Sequence, residues 1–187
     1  MPAGVPLKPG LRIAFMIVVI LSTLSFFAAV GLWTGAAIMA SGGNDNPTSD
    51  AMAGAGAGSI GLAVLLVYVQ IGLGVAWMHR AWSWLPPEER WSRHWRSWIT
   101  PGTASLFLLV PYFHYYWMFV INTALCDALD RVRARFPIRA AAPRGVVLAA
   151  EICQFIIPLP VAAILWLVYI TRVERMMAEL AASPVPR

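Results

Sequence analysis

The chain has 187 residues, 59% hydrophobic and only 12% charged, with a net charge of +5 from 14 Lys+Arg against 9 Asp+Glu. A soluble domain carries about 25% charged residues, so the composition excludes an ordinary aqueous domain and puts the chain in the membrane class. Every basic residue but Lys8 is arginine, and tryptophans beside an apolar run account for the Trp/Arg pattern, so nucleic acid is not an expected partner.

After a short tail with three prolines and Lys8, residues 13–40 make a run of 28 without a charge. A spanning helix needs about 20 residues. The run also exceeds a signal h-region of about 7–15 residues, so it is expected to stay as a signal anchor. Lys8 and Arg12 precede it and Asp45 and Asp50 follow it, which puts the N-terminus on the cytoplasmic side. Gly31 and Gly35 are four apart, as are Ala36 and Ala40; such spacing lets another helix approach closely, although small residues are common in membrane helices anyway. Residues 41–59, rich in Gly, Ala, Ser and Asn, read as an outer loop whose Ala-Gly repeat already leads into the next helix. The second span covers about 60–79, with Gln70 as its polar side chain at mid-depth.

Trp77 to Trp98 holds six of the nine tryptophans and four arginines. Indole rings prefer the headgroup level and arginine in short loops marks the cytoplasmic side. Trp77, Trp82, Trp84, Trp91, Trp95 and Trp98 are therefore expected to contact lipid or a partner. Pro86 and Pro87 suit a helix start, Glu88 and Glu89 suit its first turn, and Trp91, Trp95 and Trp98 fall at i, i+4 and i+7. An interfacial helix over about 86–99 is the reading, against a plain loop with scattered tryptophans.

The third run is uncharged from Ser97 to Cys126 and gives a span over about 103–126. Pro111 would break or kink it. Tyr112, Tyr115, Tyr116 and Trp117 form an aromatic cluster with His114 among them. Ile121, Leu125, Leu129, Val132 and Phe136 make an apolar stripe at helical spacing, so the helix should leave lipid near Asn122. After a turn at 140–145 comes the fourth run, 146–171, with Glu151 early and Pro158 and Pro160 kinking its middle. The fold expected is an all-α integral membrane protein, one domain over 1–187, with four membrane-embedded helices plus the interfacial helix.

Topology is open at the third run. Four full spans put nine basic residues inside and five outside; a re-entrant third run breaking at Pro111 makes it eleven against three. Charge favours re-entry; length favours a span.

Trp77-Met-His-Arg-Ala81, the basic tryptophan-rich stretch, Pro101-Gly-Thr-Ala104 and Pro111-Tyr-Phe-His114 occur in that order. Over about 76–129 this resembles a group of small bacterial multi-span membrane proteins known only as a domain of unknown function, with Trp-x-x-Arg-Ala, Pro-Gly-x-Ala and Pro-x-x-Asn segments before an amphipathic helix. His114 stands where that group tends to have Asn, and the Arg-Pro-Tyr that usually follows is absent. The resemblance implies a bacterial inner-membrane protein and no activity.

Glu151 is the carboxylate inside an apolar run, and intramembrane ionisable groups are functional candidates. With Gln154, Gln70 and Asn122 it could line a polar path; it could equally pair with Arg144, about two turns away. His79 and His114 could flank one membrane face and ligate haem iron, or simply hydrogen-bond at the interface. The aromatic cluster could hold a lipid tail, a quinone or a pigment, or act as an anchor. Cys126 and Cys153 form no Cys-x-x-Cys pattern and read as apolar fillers. No nucleophile–base set, phosphate loop or metal cluster can be assembled. The expectation is a non-catalytic multi-pass inner-membrane protein without cofactor beyond lipid, an accessory subunit that associates with other membrane subunits or itself. A small homo-oligomeric channel or transporter through Glu151 is the alternative, and a haem- or quinone-binding electron-transfer subunit is a third.

Overall fold

The computed structural model describes residues 10–41, 47–136, 139–156 and 161–182. The chain divides into two compact units, Ile13–Leu73 and Met1–Arg12 with Gly74–Arg187.

The first unit is a pair of helices, drawn from α1 (Gly10–Ser41) and α2 (Pro47–Trp84). Both are long and apolar enough to cross a membrane. At about 1.5 Å per residue α1 is near 48 Å long and α2 near 57 Å, both beyond the hydrocarbon thickness of about 30 Å. The two meet where side chains are smallest: a Cβ at Gly56 would overlap the Trp33 indole, and one at Gly35 would overlap the Met52 methyl. Much of the remaining apolar surface is bare: Leu24 is 61% exposed, Ile38 67%, Leu65 60% and Tyr68 69%. A helix that is apolar all round needs an apolar surrounding; this pair does not supply it.

The expected outer loop over 41–59 is too long. Residues 47–59 belong to α2, because Pro47 presets the helical φ at the start, Asp50 sits in the positive first turn, and the alanines that follow propagate a helix well. Residues 42–46 lie outside the described set.

In the second unit the end of α2 is packed, with Trp77, Met78, Ala81, Trp82 and Leu85 all buried. Arg90 ties off this end, donating from Nε to the Leu85 carbonyl at 3.0 Å and from its terminal nitrogen to the carbonyls of Leu85 at 2.8 Å and Ser83 at 3.2 Å. A cation on the last carbonyls complements the helix dipole.

The interfacial helix over 86–99 is not formed. Pro87–Glu89 makes one 3-10 turn, and a two-stranded hairpin follows, β1 (Trp91–Ser92) against β2 (Ser97–Trp98). The residues are symmetric about the turn: Trp91 faces Trp98 and Ser92 faces Ser97. The two indoles meet edge to face at 5.6 Å between centroids, a cross-strand aromatic pair of the kind that stabilises hairpins. Arg96 takes the positive φ of 51° that closes the turn, and Ser92 Oγ accepts from the Trp95 amide at 3.1 Å. Periodicity over so few residues served two structures, and local turn chemistry selected the strand pair.

Run 103–126 is not a single span either. It comprises α3 (Pro101–Leu106), a 3-10 turn (Phe107–Leu109), a reversal at Pro111–Tyr112, and α4 (Phe113–Arg135). Thr100 caps α3, its Oγ1 accepting from the Thr103 amide. The reversal folds α3 back on α4, so that Trp117 Nε1 donates to the Ala104 carbonyl at 3.1 Å. Tyr112 adopts φ 60°, which a non-glycine residue rarely takes. The stripe Ile121, Leu125, Leu129, Val132 and Phe136 is buried throughout, as its spacing requires.

Run 146–171 also divides, into α5 (Arg144–Ile156) and α6 (Val161–Ala181). Trp166 Nε1 donates to Gln154 Oε1 at 3.0 Å, which a continuous helix would keep about 18 Å apart. The two helices therefore pack antiparallel rather than forming one kinked span. Pro158 and Pro160, to which the sequence assigns the kink, lie outside the described residues.

Candidate functional site

Two carboxylates are sealed in the second unit, and they are served differently. Glu89, on the 3-10 turn, is 2% exposed. Arg131 Nε donates to its Oε2 at 2.8 Å, and Arg135 pairs with its Oε1 at 2.6 Å. Arg131 also donates to the carbonyls of Glu89 at 2.7 Å and Trp91 at 3.1 Å. Two guanidiniums from the last turns of α4 thus clamp the Trp/Arg stretch to that helix. Charge-assisted, multiply bonded pairs of this kind are the strong ones.

Glu151 on α5 is fully buried. Its Oε1 accepts from Asn122 Nδ2 on α4 at 3.0 Å, and the same amide donates to the Met118 carbonyl at 2.9 Å. Glu151 Oε2 and Asn122 Oδ1 have no hydrogen-bond partner among the described residues. Cys126, one turn along α4, and Tyr169 on α6 close the cluster. Among the described residues no guanidinium reaches Glu151: Arg144, the ion-pair partner that the sequence suggests, pairs instead with Asp127 and, at 3.7 Å, with Asp130. An ionised carboxylate sealed without a countercharge costs several kcal/mol, so this site favours the neutral acid.

Of the expected polar path, one pair comes together within the second unit. Asn122 and Glu151 meet. Gln154, one turn on from Glu151, is exposed and bonded to Trp166. Gln70 is half-buried in α2 within the other unit. The missed member is Tyr169, and the hairpin register that pairs 154 with 166 brings 169 to 151; a reading of 146–171 as one continuous span separates them.

The aromatic residues divide as well. Trp77, Trp82 and Trp117 are core residues rather than a belt, with Trp77 edge-on to Tyr169 at 5.7 Å. Trp84 is half-buried, and half-buried Trp95 sits in a cluster with Phe107, Phe113 and Trp117, the last at 5.0 Å. Trp91, Trp98, Tyr112, Tyr115 and Tyr116 are exposed. His79 Nδ1 lies 3.4 Å from Ser105 Oγ, and His114 stacks by Tyr115, so the two imidazoles have separate neighbours. No group of three or more His, Cys, Asp or Glu side chains that could hold a metal ion occurs among the described residues. Cys126 and Cys153 are free thiols.

Near the end of α6, Glu179 accepts from the amides of Arg139 at 2.9 Å and Ala140 at 3.2 Å, and these hold its carboxyl below the usual range. Burial raises the Glu174 carboxyl, against the opposing pull of Arg12 at 3.5 Å. Burial likewise lowers the Arg90 guanidinium, opposed by the nearby Glu88.

Compared with protein-family models, curated proteins and solved structures, the chain finds no match in any of the three.

Proposed function

We propose that this chain is a non-catalytic accessory subunit of an inner-membrane assembly, anchored by α1 and α2 as its two full crossings. One observation carries the reading: α1 and α2 leave most of their apolar side chains without protein cover. Lipid and other membrane helices are the surroundings that such surfaces fit, and the glycine and alanine positions on them permit close helix approach. The resemblance to small bacterial multi-span proteins supports an inner-membrane setting.

Charge supports two crossings. Runs 103–126 and 146–171 both fold back, so each returns to the side it left. All 14 basic residues then lie on the side of the N-terminus, with none opposite, while Asp45 and Asp50 lie across the membrane. The positive-inside rule makes that side cytoplasmic. Neither four spans, at nine against five, nor a single re-entrant run, at eleven against three, separates the charges so fully.

The test has two readouts. Purified from its native membrane in mild detergent, the chain should carry stoichiometric partner chains or copies of itself; a bare monomer overturns the subunit reading. An impermeant maleimide should label Asp50→Cys from outside intact cells and Ala142→Cys only after permeabilisation, and outside labelling of Ala142→Cys overturns the two-crossing topology.

A further inference from the structure

The three-helix layer of the second unit has two unlike ends. Asn122 meets Glu151 and Asp127 meets Arg144, so α4 and α5 run antiparallel. Gln154 meets Trp166, so α6 returns antiparallel to α5. The start of α4, the end of α5 and the start of α6 therefore share one end, and the α3 turn folds over it.

That end is bare and apolar. Leu106 is 62% exposed, Leu109 56%, Tyr112 88%, Tyr116 53%, Ile152 50% and Ile164 59%. No charged residue occurs from Ser97 to Cys126 or from Ile152 to Thr171. The charges of α4 begin at Asp127, those of α6 at Arg172, and the charge of α5 outside its sealed glutamate is Arg144 at its start. Helices α4, α5 and α6 are thus amphipathic along their length, and the hairpin turn, with Arg93 and Arg96 flanking Trp95, packs through that indole on Phe107 and Phe113 and rims this end.

We infer that the apolar end of this unit inserts into the cytoplasmic leaflet as a wedge, leaving its charged end at the headgroups. The inference rests on the membrane anchoring proposed above. Three observations favour phospholipid over a protein partner as the occupant. From Phe113 to Cys126 the uncharged part of α4 is about 20 Å long, which suits one hydrocarbon leaflet of about 15 Å and not both. The reversal at the tip satisfies its own backbone: Val110 donates to Phe107, Phe113 to Pro111 and His114 to Val110 at 3.4, 2.7 and 3.0 Å. Irregular backbone needs such internal pairing where no water reaches. Finally, the exposed Trp91–Trp98 pair stands level with Arg131, whose terminal nitrogen bonds the Trp91 carbonyl at 3.1 Å. Indole and guanidinium together mark the height of the headgroups, with the apolar tip below them.

The test uses the full chain reconstituted in vesicles of phosphatidylethanolamine and phosphatidylglycerol. A Cys153→Ser parent, whose remaining thiol Cys126 is fully buried, carries one added probe site at a time at Leu109→Cys, Tyr112→Cys, Arg133→Cys or Leu65→Cys, each labelled with an environment-sensitive fluorophore, and the unlabelled parent is the control for Cys126. Sites 109 and 112 should emit in the blue and be quenched several-fold more by acyl-chain nitroxide lipids than by aqueous iodide, with the order reversed at site 133. Quenching of 109 and 112 by iodide overturns the wedge, and so does protection from both quenchers, which would mean protein cover. Site 65 in α2 separates the two proposals. Lipid quenching there without it at 109 and 112 removes the wedge alone, whereas its failure at 65 removes the membrane anchoring beneath both.

Discussion

The helical pair of α1 and α2 and the layer of α4, α5 and α6 bury their apolar side chains in opposite places. In the layer, Ile121, Leu125 and Leu129 are sealed by neighbouring helices of the same chain. In the pair, side chains such as Leu24 and Leu65 point outward, while Gly35 and Gly56 lie against the side chains of Met52 and Trp33. The difference lies in polar residues rather than apolar ones. The second half of α4 carries Asp127, Asp130, Arg131, Arg133 and Arg135, so only one face of it can enter a core. Residues 13–40 of α1 carry no charge, and no face is excluded from an apolar surrounding.

The same substitution in both places tests that comparison most directly. Leu129→Ala should lower unfolding stability by about 2–5 kcal/mol, because it removes a sealed side chain and leaves a cavity. Leu65→Ala should change stability in the same detergent by less than about 1 kcal/mol, since detergent or lipid fills the space. Denaturant unfolding followed by near-ultraviolet circular dichroism reads both, and equal losses would erase the distinction between the regions.

The next largest effect separates the two buried glutamates. Glu89→Gln removes the anion that two partly exposed guanidiniums share and should cost about 1.5–3 kcal/mol, the scale of hydrogen bonds to a charged group. It should also free the Trp91–Trp98 hairpin, seen as faster protease cleavage near Arg93. Glu151→Gln removes no charge partner and keeps an oxygen that accepts from Asn122, so stability should stay within about 1 kcal/mol. A large loss at Glu151 with none at Glu89 would show that the sealed carboxylate is ionised in the native state.

These pairs also show where the chain was legible before its fold was known. The uncharged length of α1 and the heptad-like stripe of α4 sufficed for their helices, because long periodic patterns average over local exceptions. Trp91, Trp95 and Trp98 fitted a helix by spacing, yet three residues cannot outweigh the turn chemistry of Ser92 and Arg96. Glu151 stood out as an ionisable residue in an apolar run, and of the three polar residues grouped with it the fold brings Asn122 to it. Tyr169 could not be found without the antiparallel register of α5 and α6. Glu89 looked like a first-turn acid on an exposed helix. Its burial depends on Arg131 and Arg135, more than 40 positions away, a separation over which sequence spacing says nothing.

The smallest expected effect is a pH dependence at the charged end, where Glu179 and Glu174 act in opposite senses. Glu179 is held below the usual range by two backbone amides. A carboxyl depressed in the native state adds stability above its unfolded value, and that contribution disappears as pH falls through the native one. Glu174 is raised by burial. Its native form binds the proton more tightly than the unfolded chain does, so its contribution is complete below the unfolded value and is lost as pH rises through the native one. Acidification through the carboxylate range should therefore weaken the wild-type chain through Glu179 while Glu174 partly offsets the loss. Thermal unfolding in detergent across that range reads the balance: Glu179→Gln should flatten the acid-side fall, and Glu174→Gln should steepen it. If both variants shift the profile the same way, the 139–140 amides and the Arg12 pair do not set the stability of this end.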